Sequence, residues 1–190
     1  MEQAAAATLR VVAHAVLLTG TQFGGYEVGG LSGLAYDAKA DLFYAVSDDA
    51  AGHPPAKVLR FRWHPVAGHP PAAPELVDWL PLVGKDGPFP TAGADLEGLA
   101  RAPNGELYVS SEGDVEHGIT PWVAHFDAAG KLRDRLPIPD AFLPAEKRGV
   151  RHNAAFEALT VLGDDNLVAG TEGPLRQDEP PPAGELARTR

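Results

Sequence analysis

The sequence predicts an all-β protein made of four-stranded antiparallel sheets, arranged as the blades of a partial β-propeller. Three segments of the 190-residue chain are versions of one another, at residues 30–49, 95–114 and 155–174. In each segment apolar residues alternate on both sides of a short polar turn, which is the pattern of a β-hairpin. Helical periodicity is almost absent. A β-sandwich is the competing architecture for such a pattern.

The first two segments each continue into two more predicted strands. After the first hairpin these strands are residues 57–63 and 76–80, and after the second hairpin they are residues 122–126 and 132–136. Because strands that follow one another along the chain usually pair, each unit is expected to form one four-stranded blade. A further strand is predicted over residues 9–17, ahead of the first hairpin.

The third unit stops after its second strand and runs into a Pro-rich end. We therefore expect a single domain over residues 1–190 that forms about half of a propeller ring, the N-terminal portion of a truncated domain. Residues 175–190, which include three consecutive prolines, are expected to be disordered. Such a half ring would need its missing blades, or association with other copies, to cover its exposed strand edges.

The composition excludes several classes of function. The chain has 16 Lys and Arg against 26 Asp and Glu, a net charge of -10, which argues against a nucleic-acid partner. Cysteine is absent, so no disulfide, thiolate zinc site or cysteine nucleophile is available. The longest apolar run, residues 11–18, is far shorter than the ~18 residues of a membrane span, so no membrane partner is expected. No clear signal peptide is present, which leaves the compartment unknown.

The turn positions predict which residues face each other near the open ends of the hairpins. A two-residue turn at Asn104 and Gly105 would place Glu97 opposite Glu112. The same counting from a turn at residues 164–165 places Glu157 opposite Glu172. Like charges directly opposed on two strands are destabilising. Each pair therefore needs a proton, a cation or a cationic side chain.

Acidic residues should collect on one rim of the propeller, because all of them lie at the open ends of hairpins. The first hairpin contributes Asp48, predicted opposite Ser32. Carboxylates without His or Cys favour hard cations, and Ca²⁺ tolerates their irregular geometry best. An equally weighted alternative is structural, with each Glu accepting backbone N–H groups at a turn or from the neighbouring blade. The predicted calcium ligands are Asp48, Asp49, Asp95, Glu97, Glu112, Asp114, Glu157 and Glu172.

A short basic stretch precedes Glu157. Arg151 and His152 could hold a phosphate group or another anionic substrate against the metal, because a guanidinium matches phosphate oxygens with two hydrogen bonds. The alternative is an ion pair between Arg151 and a nearby rim carboxylate.

Six sequence blocks, in a fixed order, resemble the bacterial phytase-like family, whose domain is called "esterase-like activity of phytase". The blocks are VGGLSGLAYD, DLEGLA, LYVSSEGD, LPIPDAFLP, GVRHNAAFEALT and GTEGPLRQD, and the resemblance runs from about Leu9 to Asp178. Such proteins are described as propeller-like and related in architecture to the calcium-dependent β-propeller phytases, which hold Ca²⁺ on an acidic rim and bind phosphate esters. The resemblance implies export from the cytoplasm and site roles for Asp95, Glu97, Glu112, Asp114, Arg151, Asn153, Glu157 and Glu172.

The resulting hypothesis is a calcium-dependent hydrolase of phosphomonoesters or phytate-type substrates. Rim carboxylates would hold calcium, an activated water would attack phosphorus, and Arg151 or His152 would orient the phosphate. The predicted catalytic residues are Glu97, Glu157, Arg151 and His152, and Asn153 joins Arg151 and His152 in binding substrate. The expected partner is a small anionic molecule, a phosphate ester. The alternatives are a non-catalytic, calcium-stabilised binding module and an inactive truncated product.

Overall fold

The computed structural model describes residues 8, 10–48, 56–66, 73–89, 95–163 and 166–178. Over these ranges the protein is all-β, as predicted, with one short 3-10 turn at Val115–His117 and no α-helix. No helix in these ranges is long and apolar enough to span a bilayer. The strands are β1 Gln22–Phe23, β2 Tyr26–Glu27, β3 Leu31–Asp37, β4 Leu42–Ser47, β5 Lys57–Arg62, β6 Glu75–Pro81, β7 Val83–Gly84, β8 Gly87–Pro88, β9 Leu96–Arg101, β10 Leu107–Ser111, β11 Trp122–Phe126, β12 Leu132–Leu136, β13 Phe156–Leu162 and β14 Asn166–Thr171.

Three sheets correspond to the three sequence repeats. Sheet I has the strand order β3-β4-β5-β6, sheet II has the order β12-β11-β10-β9, and sheet III is the pair β13-β14. All neighbouring strands in them are antiparallel. The predicted four-stranded units are therefore confirmed for the first two repeats. Two sheets of four strands and one of two form an open, partial propeller-like arrangement.

The strand predicted over residues 9–17 is wrong for the described residues 10–17, which form no strand. Val11 in this segment is 84% exposed, and Val16 is exposed as well. Alternating apolar residues favour a strand only where a sheet edge is available for pairing. The segment instead leads to Leu17, which packs against one face of sheet I.

Glycines allow the first strands of the three sheets to approach each other closely. A Cβ added to Gly33 of β3 would lie 2.5 Å from the Glu97 carbonyl oxygen of β9. A Cβ added to Gly98 of β9 would lie 2.9 Å from Cγ of Leu159 in β13. These contacts leave no room for a larger side chain. Strand β9 therefore lies between β3 and β13, with its backbone packed against both.

The main apolar core lies between sheets I and II. It includes fully or almost fully buried side chains from both sheets, among them Val46, Val58, Leu107, Val109 and Phe126. At its edge Arg101 of sheet II forms an ion pair with Asp37 of sheet I at 2.7 Å. Burial of this apolar surface, at roughly 25 cal/mol per Å², holds the two sheets together.

Candidate functional site

The second hairpin turns over three residues. Gly105 N–H donates to the Ala102 carbonyl at 2.9 Å, and Ala102 N–H donates to the Glu106 carbonyl at 2.8 Å. Gly105 has φ 94, in the left-handed region that glycine tolerates. This is a three-residue loop closed by a glycine bulge. The two-residue turn predicted at Asn104 and Gly105 is therefore wrong.

A second irregularity lies near the open end of the same hairpin. The register shifts between Val109 and Ser111, so Glu97 lies in a β-bulge. Glu112 lies opposite Asp95, whose carbonyl oxygen accepts the Glu112 N–H at 3.1 Å. The predicted opposition of Glu97 and Glu112 is corrected accordingly. The bulge turns Glu97 out of the direct cross-strand position.

The third hairpin repeats this arrangement. The register shifts around Glu157, which occupies the bulge. Glu172 N–H donates to the Ala155 carbonyl at 2.9 Å, so Glu172 lies opposite Ala155 and the predicted pairing with Glu157 is wrong. The predicted turn at residues 164–165 lies outside the described residues.

The first hairpin has the same backbone with different side chains. Its register shifts between Leu31 and Leu34, which places Ser32 in the bulge. Asp48 N–H donates to the Gly30 carbonyl at 2.8 Å, so Asp48 lies opposite Gly30 rather than Ser32 as predicted. Ser32, Glu97 and Glu157 therefore hold equivalent positions, as do Asp48, Glu112 and Glu172.

Three of the predicted metal ligands come together where sheets II and III meet. Glu112, Glu157 and Glu172 each offer a carboxylate oxygen, and these oxygens lie within 4.8 Å of one another. Glu112 is buried, Glu157 is half-buried and Glu172 is exposed, so the group is open to solvent on one side. The three residues are called the carboxylate triad below.

Two more acids extend the triad. The side chain of Glu157 is hydrogen-bonded to both Glu112 and Glu97. Glu97 in turn is hydrogen-bonded to Asp95. A hydrogen bond between two carboxyl groups requires a proton on one of them, because a carboxylate only accepts. The network therefore holds protons or exchanges them for a cation.

The environment of the network raises its pKa values. Burial, the largest cause, raises the pKa of Glu97 to about 8, and the charges of Glu157 and Asp95 add to the increase. A hydrogen bond to Ser32 opposes this increase. Burial, followed by the charges of nearby acids, raises the pKa of Glu112 to about 7. The pKa values of Glu157 and Asp95 are raised too, again mainly by burial.

Backbone contacts hold the site together across the two sheets. One carboxylate oxygen of Glu112 accepts the N–H of Ala155, at the start of the third hairpin. The buried Ser110 hydroxyl accepts the Gly98 N–H at 2.9 Å and donates to the Phe156 carbonyl at 2.8 Å. The structural alternative, in which a Glu accepts a backbone N–H from a neighbouring blade, therefore holds for one carboxylate oxygen of Glu112. This hydrogen bond links sheets II and III.

The other predicted ligands lie around this centre. Asp114 begins the 3-10 turn and contacts Nδ1 of His117 at 2.6 Å. Burial raises the pKa of Asp114, but the hydrogen bonds from the side chain and the backbone N–H of His117 together outweigh this effect, so the pKa is lowered. Asp48 is exposed, and its charge raises the pKa values of Asp95 and Glu97. Asp49 lies outside the described residues.

The predicted substrate-binding residues form the exposed stretch before β13. Arg151 Nε donates to the Pro174 carbonyl at 3.1 Å, which ties the guanidinium to the loop that follows Glu172. His152 lies close enough to Asp95 and Asp114 that a positive charge on its ring favours the ionised form of both, although burial still leaves the pKa of Asp95 raised. Asn153 is exposed and has φ 51, so it forms part of a turn.

A comparison with protein families shows which family the chain belongs to. The family model described as "Phytase-like: Esterase-like activity of phytase" matches residues 26–190. The chain belongs to the phytase-like family. The resemblance seen in the six sequence blocks is confirmed. A comparison with curated proteins gives no match. The family description points in general terms to the hydrolysis of phosphoesters.

The residues of this phytase-like chain fit a metal ion. The triad supplies only oxygen donors, at separations that a single cation can bridge. Two further acids, Asp95 and Glu97, carry hydrogen-bonded carboxyl groups beside the triad. A cation held by the triad would offset the mutual repulsion of its carboxylates and replace the proton that Glu112 and Glu157 share. The site could therefore hold a metal ion, and oxygen-only ligation favours a hard one.

Sequence reasoning missed the roles of two serines that build this phytase-like site. Ser110, directly before the SEGD motif, carries the hydroxyl that joins the two sheets. Its signal in the sequence was a polar residue at a buried strand position. Ser32 was predicted opposite Asp48, yet its side chain is hydrogen-bonded to Glu97. Only the neighbouring positions of β3 and β9 reveal that contact.

Proposed function

We propose that this chain hydrolyses phosphate monoesters, including phytate-type substrates, with calcium held by the carboxylate triad. The observation that carries this proposal is the convergence of Glu112, Glu157 and Glu172 within 4.8 Å. These residues come from two different sheets, so the donor set depends on the folded protein. Membership of the phytase-like family supports the phosphoester class.

Calcium is the cation that suits this donor set best. It accepts six to eight oxygen ligands in irregular geometry, and carboxylates on separate strands provide oxygens of that kind. Glu112 and Glu157 would hold it from the buried side and Glu172 from the exposed side. When bound, calcium would neutralise phosphate charge and lower the pKa of a water molecule.

Glu97 is suited to proton transfer in the proposed reaction. With a pKa raised to about 8, its carboxyl group carries a proton at neutral pH. Attack of water on phosphorus breaks the bond to the ester oxygen, and the departing alcohol needs a proton. Glu97 would donate that proton as a general acid, and the proton lost by the attacking water would return to the Glu97 carboxylate or pass to solvent. Glu157, hydrogen-bonded to Glu97, would hold its neighbour in position.

Arg151 and His152 would orient the anionic substrate. Arg151 is fixed through Nε to the Pro174 carbonyl, beside the loop that carries Glu172. Its guanidinium would pair with phosphate oxygens. His152 would act from the side of Asp95, and Asn153 would contribute its side-chain amide. The proposed substrate is thus a small phosphate ester.

The test measures calcium binding and turnover on the same samples. Calorimetric titration with calcium should give a saturable signal, and hydrolysis of phytate and p-nitrophenyl phosphate should require calcium. Glu157→Gln should abolish both, whereas the exposed Glu146→Gln serves as the matched control and should change neither. Calcium-independent hydrolysis, or full activity of Glu157→Gln, would contradict the proposal.

A second candidate function is a calcium-stabilised binding module without catalysis. The observation in its favour is the bond from Ala155 N–H to Glu112, because a triad residue already joins two sheets. Calcium would then stiffen the contact between sheets II and III. This function predicts a calcium-dependent rise in melting temperature with no hydrolysis of any phosphate ester.

A further inference from the structure

Two arginines near the carboxylate triad are anchored in the same way. Arg151 Nε donates to the Pro174 carbonyl at 3.1 Å, and Arg176 Nε donates to the Val150 carbonyl at 3.4 Å. Each guanidinium is therefore tied by one nitrogen to the segment that carries the other arginine. Within the described part of the chain, the terminal nitrogens of both groups have no acceptor, so they are available to a ligand.

The two segments form a ribbon that continues the hairpin of sheet III. Glu172 N–H donates to the Ala155 carbonyl at 2.9 Å, and Arg176 N–H donates to the Gly149 carbonyl at 2.8 Å. The segments therefore run antiparallel. Gly149 N–H in turn donates to Oε1 of Gln177 at 2.8 Å. These bonds fix the backbone on which Arg176 stands.

The ribbon places both arginines on its outer face. Val150 and Leu175 are fully buried, whereas the next residues, Arg151 and Arg176, are exposed. Alternate residues of an extended segment point to opposite faces. Because Arg176 lies opposite Gly149, Arg151 is its diagonal neighbour, and long side chains reach each other from diagonal positions. Both guanidinium groups can therefore contact one small ligand.

Neither of these arginines is neutralised by a carboxylate. The chain has 26 acidic residues against 16 Lys and Arg, and three of its arginines form ion pairs with aspartates. Within the described ranges Arg151 and Arg176 form no such pair. Two neighbouring positive charges repel each other, and an anion bound between them would remove that repulsion.

We propose that Arg151 and Arg176 together bind the phosphate group of a small phosphate monoester. Their two positive charges match the two negative charges of a monoester, and their planar groups match its three terminal oxygens. A diester has one charge and two such oxygens, so it should bind less well. This inference deepens the proposed function, in which Arg151 alone was paired with phosphate, by adding Arg176 and a preference for monoesters.

The position of the arginine pair suits that role. Pro174, which anchors Arg151, follows Glu172 by two residues, so at most about 7 Å of extended chain separates them. Glu172 is the exposed member of the triad. A phosphate group held by the two arginines would therefore lie beside the side of the triad that is open to solvent.

The first test measures binding without calcium. Calorimetry of the full chain in chelator should show saturable binding of inorganic phosphate and of phenyl phosphate, and binding of diphenyl phosphate that is about tenfold weaker or more. Arg176→Gln should weaken phosphate binding about tenfold or more, because it removes a charge-assisted hydrogen bond. Arg176→Lys keeps the charge but loses the planar fork, so it should recover only part of the affinity.

The matched control is Arg148→Gln. Arg148 is an exposed arginine of the same basic stretch, so its substitution removes the same charge, and this variant should bind phosphate like the parent. Thermal melts identify any variant that does not fold, and Arg151→Lys replaces Arg176→Gln if the latter lacks a cooperative melt. A parent chain that does not bind phosphate, or an equal loss in Arg148→Gln and Arg176→Gln, overturns the inference.

A second test separates this inference from the proposed function. With calcium present, Arg176→Gln should raise the KM for p-nitrophenyl phosphate about tenfold and change kcat less. Phosphate binding that depends on Arg176, in a chain that hydrolyses no ester, would support the arginine pair and contradict the proposed function. Hydrolysis with the parent KM in folded Arg176→Gln would contradict the arginine pair and leave the proposed function standing.

Discussion

The contact between sheets I and II differs in chemistry from the contact between sheets II and III. The first is dominated by buried apolar side chains, such as Leu107 and Phe126, with the Asp37–Arg101 ion pair at its edge. The second contains the Ser110 hydroxyl and the acids around Glu157. The same repeated hairpin thus supports stability at one contact and accumulates negative charge at the next.

The difference arises from one position in a shared backbone. The bulge of each hairpin holds Ser32, Glu97 or Glu157. Between sheets I and II the neighbours at this position are a serine and a glutamate, which are hydrogen-bonded to each other. Between sheets II and III both neighbours are glutamates, Glu97 and Glu157, and Glu112 and Glu172 add two more acids. The comparison predicts that mutations at the two contacts will separate stability from metal binding.

The largest effect is expected from Phe126→Ala in the apolar contact. Phe126 is fully buried, so its truncation should lower the free energy of unfolding by about 3 to 5 kcal/mol. Urea denaturation measures this loss. Calcium affinity of the molecules that remain folded should be unchanged, because Phe126 lies outside the triad. A large loss of calcium affinity in folded protein would break the proposed division between the contacts.

Ser110→Ala tests the polar contact. The variant leaves the Gly98 N–H and the Phe156 carbonyl without the hydroxyl that joins them, which should lower the free energy of unfolding by about 1 to 3 kcal/mol. Calcium affinity should fall as well, because Phe156 directly precedes Glu157. Denaturation and calorimetry on the same sample check both effects. An unchanged calcium affinity would show that the hydroxyl does not position the triad.

The stability of the metal-free protein should depend on pH. The pKa values of Glu97 and Glu112 rise from an ordinary 4.5 to about 8 and about 7. The folded state therefore binds these protons more tightly, so the stability they give is complete below pH 4.5 and is lost as the pH rises through 7 and 8. In chelator, thermal melts should show a melting temperature about 5 °C lower at about pH 8.5 than at about pH 5. Saturating calcium should remove the part of this difference that comes from Glu112, because Glu112 is a member of the triad and Glu97 is not.

The smallest effect is expected from Glu112→Gln, and its sign is the informative part. Above about pH 7, where Glu112 is ionised, the substitution removes one negative charge from the triad, while the amide oxygen can still accept the Ala155 N–H. In chelator the variant should gain about 0.5 to 1 kcal/mol, because like charges in contact are destabilising. Calcium should no longer raise its melting temperature. A less stable variant in chelator would mean that the charge of Glu112 contributes more through its backbone bond than it costs by repulsion.

Local patterns were sufficient to predict the hairpins but not their register. Alternation identified the two strands of each repeat, and the Asn104-Gly105 pair correctly located a turn. The register failed because Gly105 closes a three-residue loop and a bulge follows near Glu97. Each of these features shifts the pairing by one residue. Neither leaves a clear signal in the alternation of apolar residues.

The sequence by itself determined the all-β class, the threefold repeat, the acidic character of one end of each hairpin and the family. These follow from short-range patterns and from residue identity, which do not depend on the packing of distant segments. Only the tertiary structure decided that Glu112, Glu157 and Glu172 converge, whereas Asp114 bonds to His117 instead. The physical reason is that bulges aim the side chains, and the close approach of β9 and β13 at Gly98 sets the distance between them.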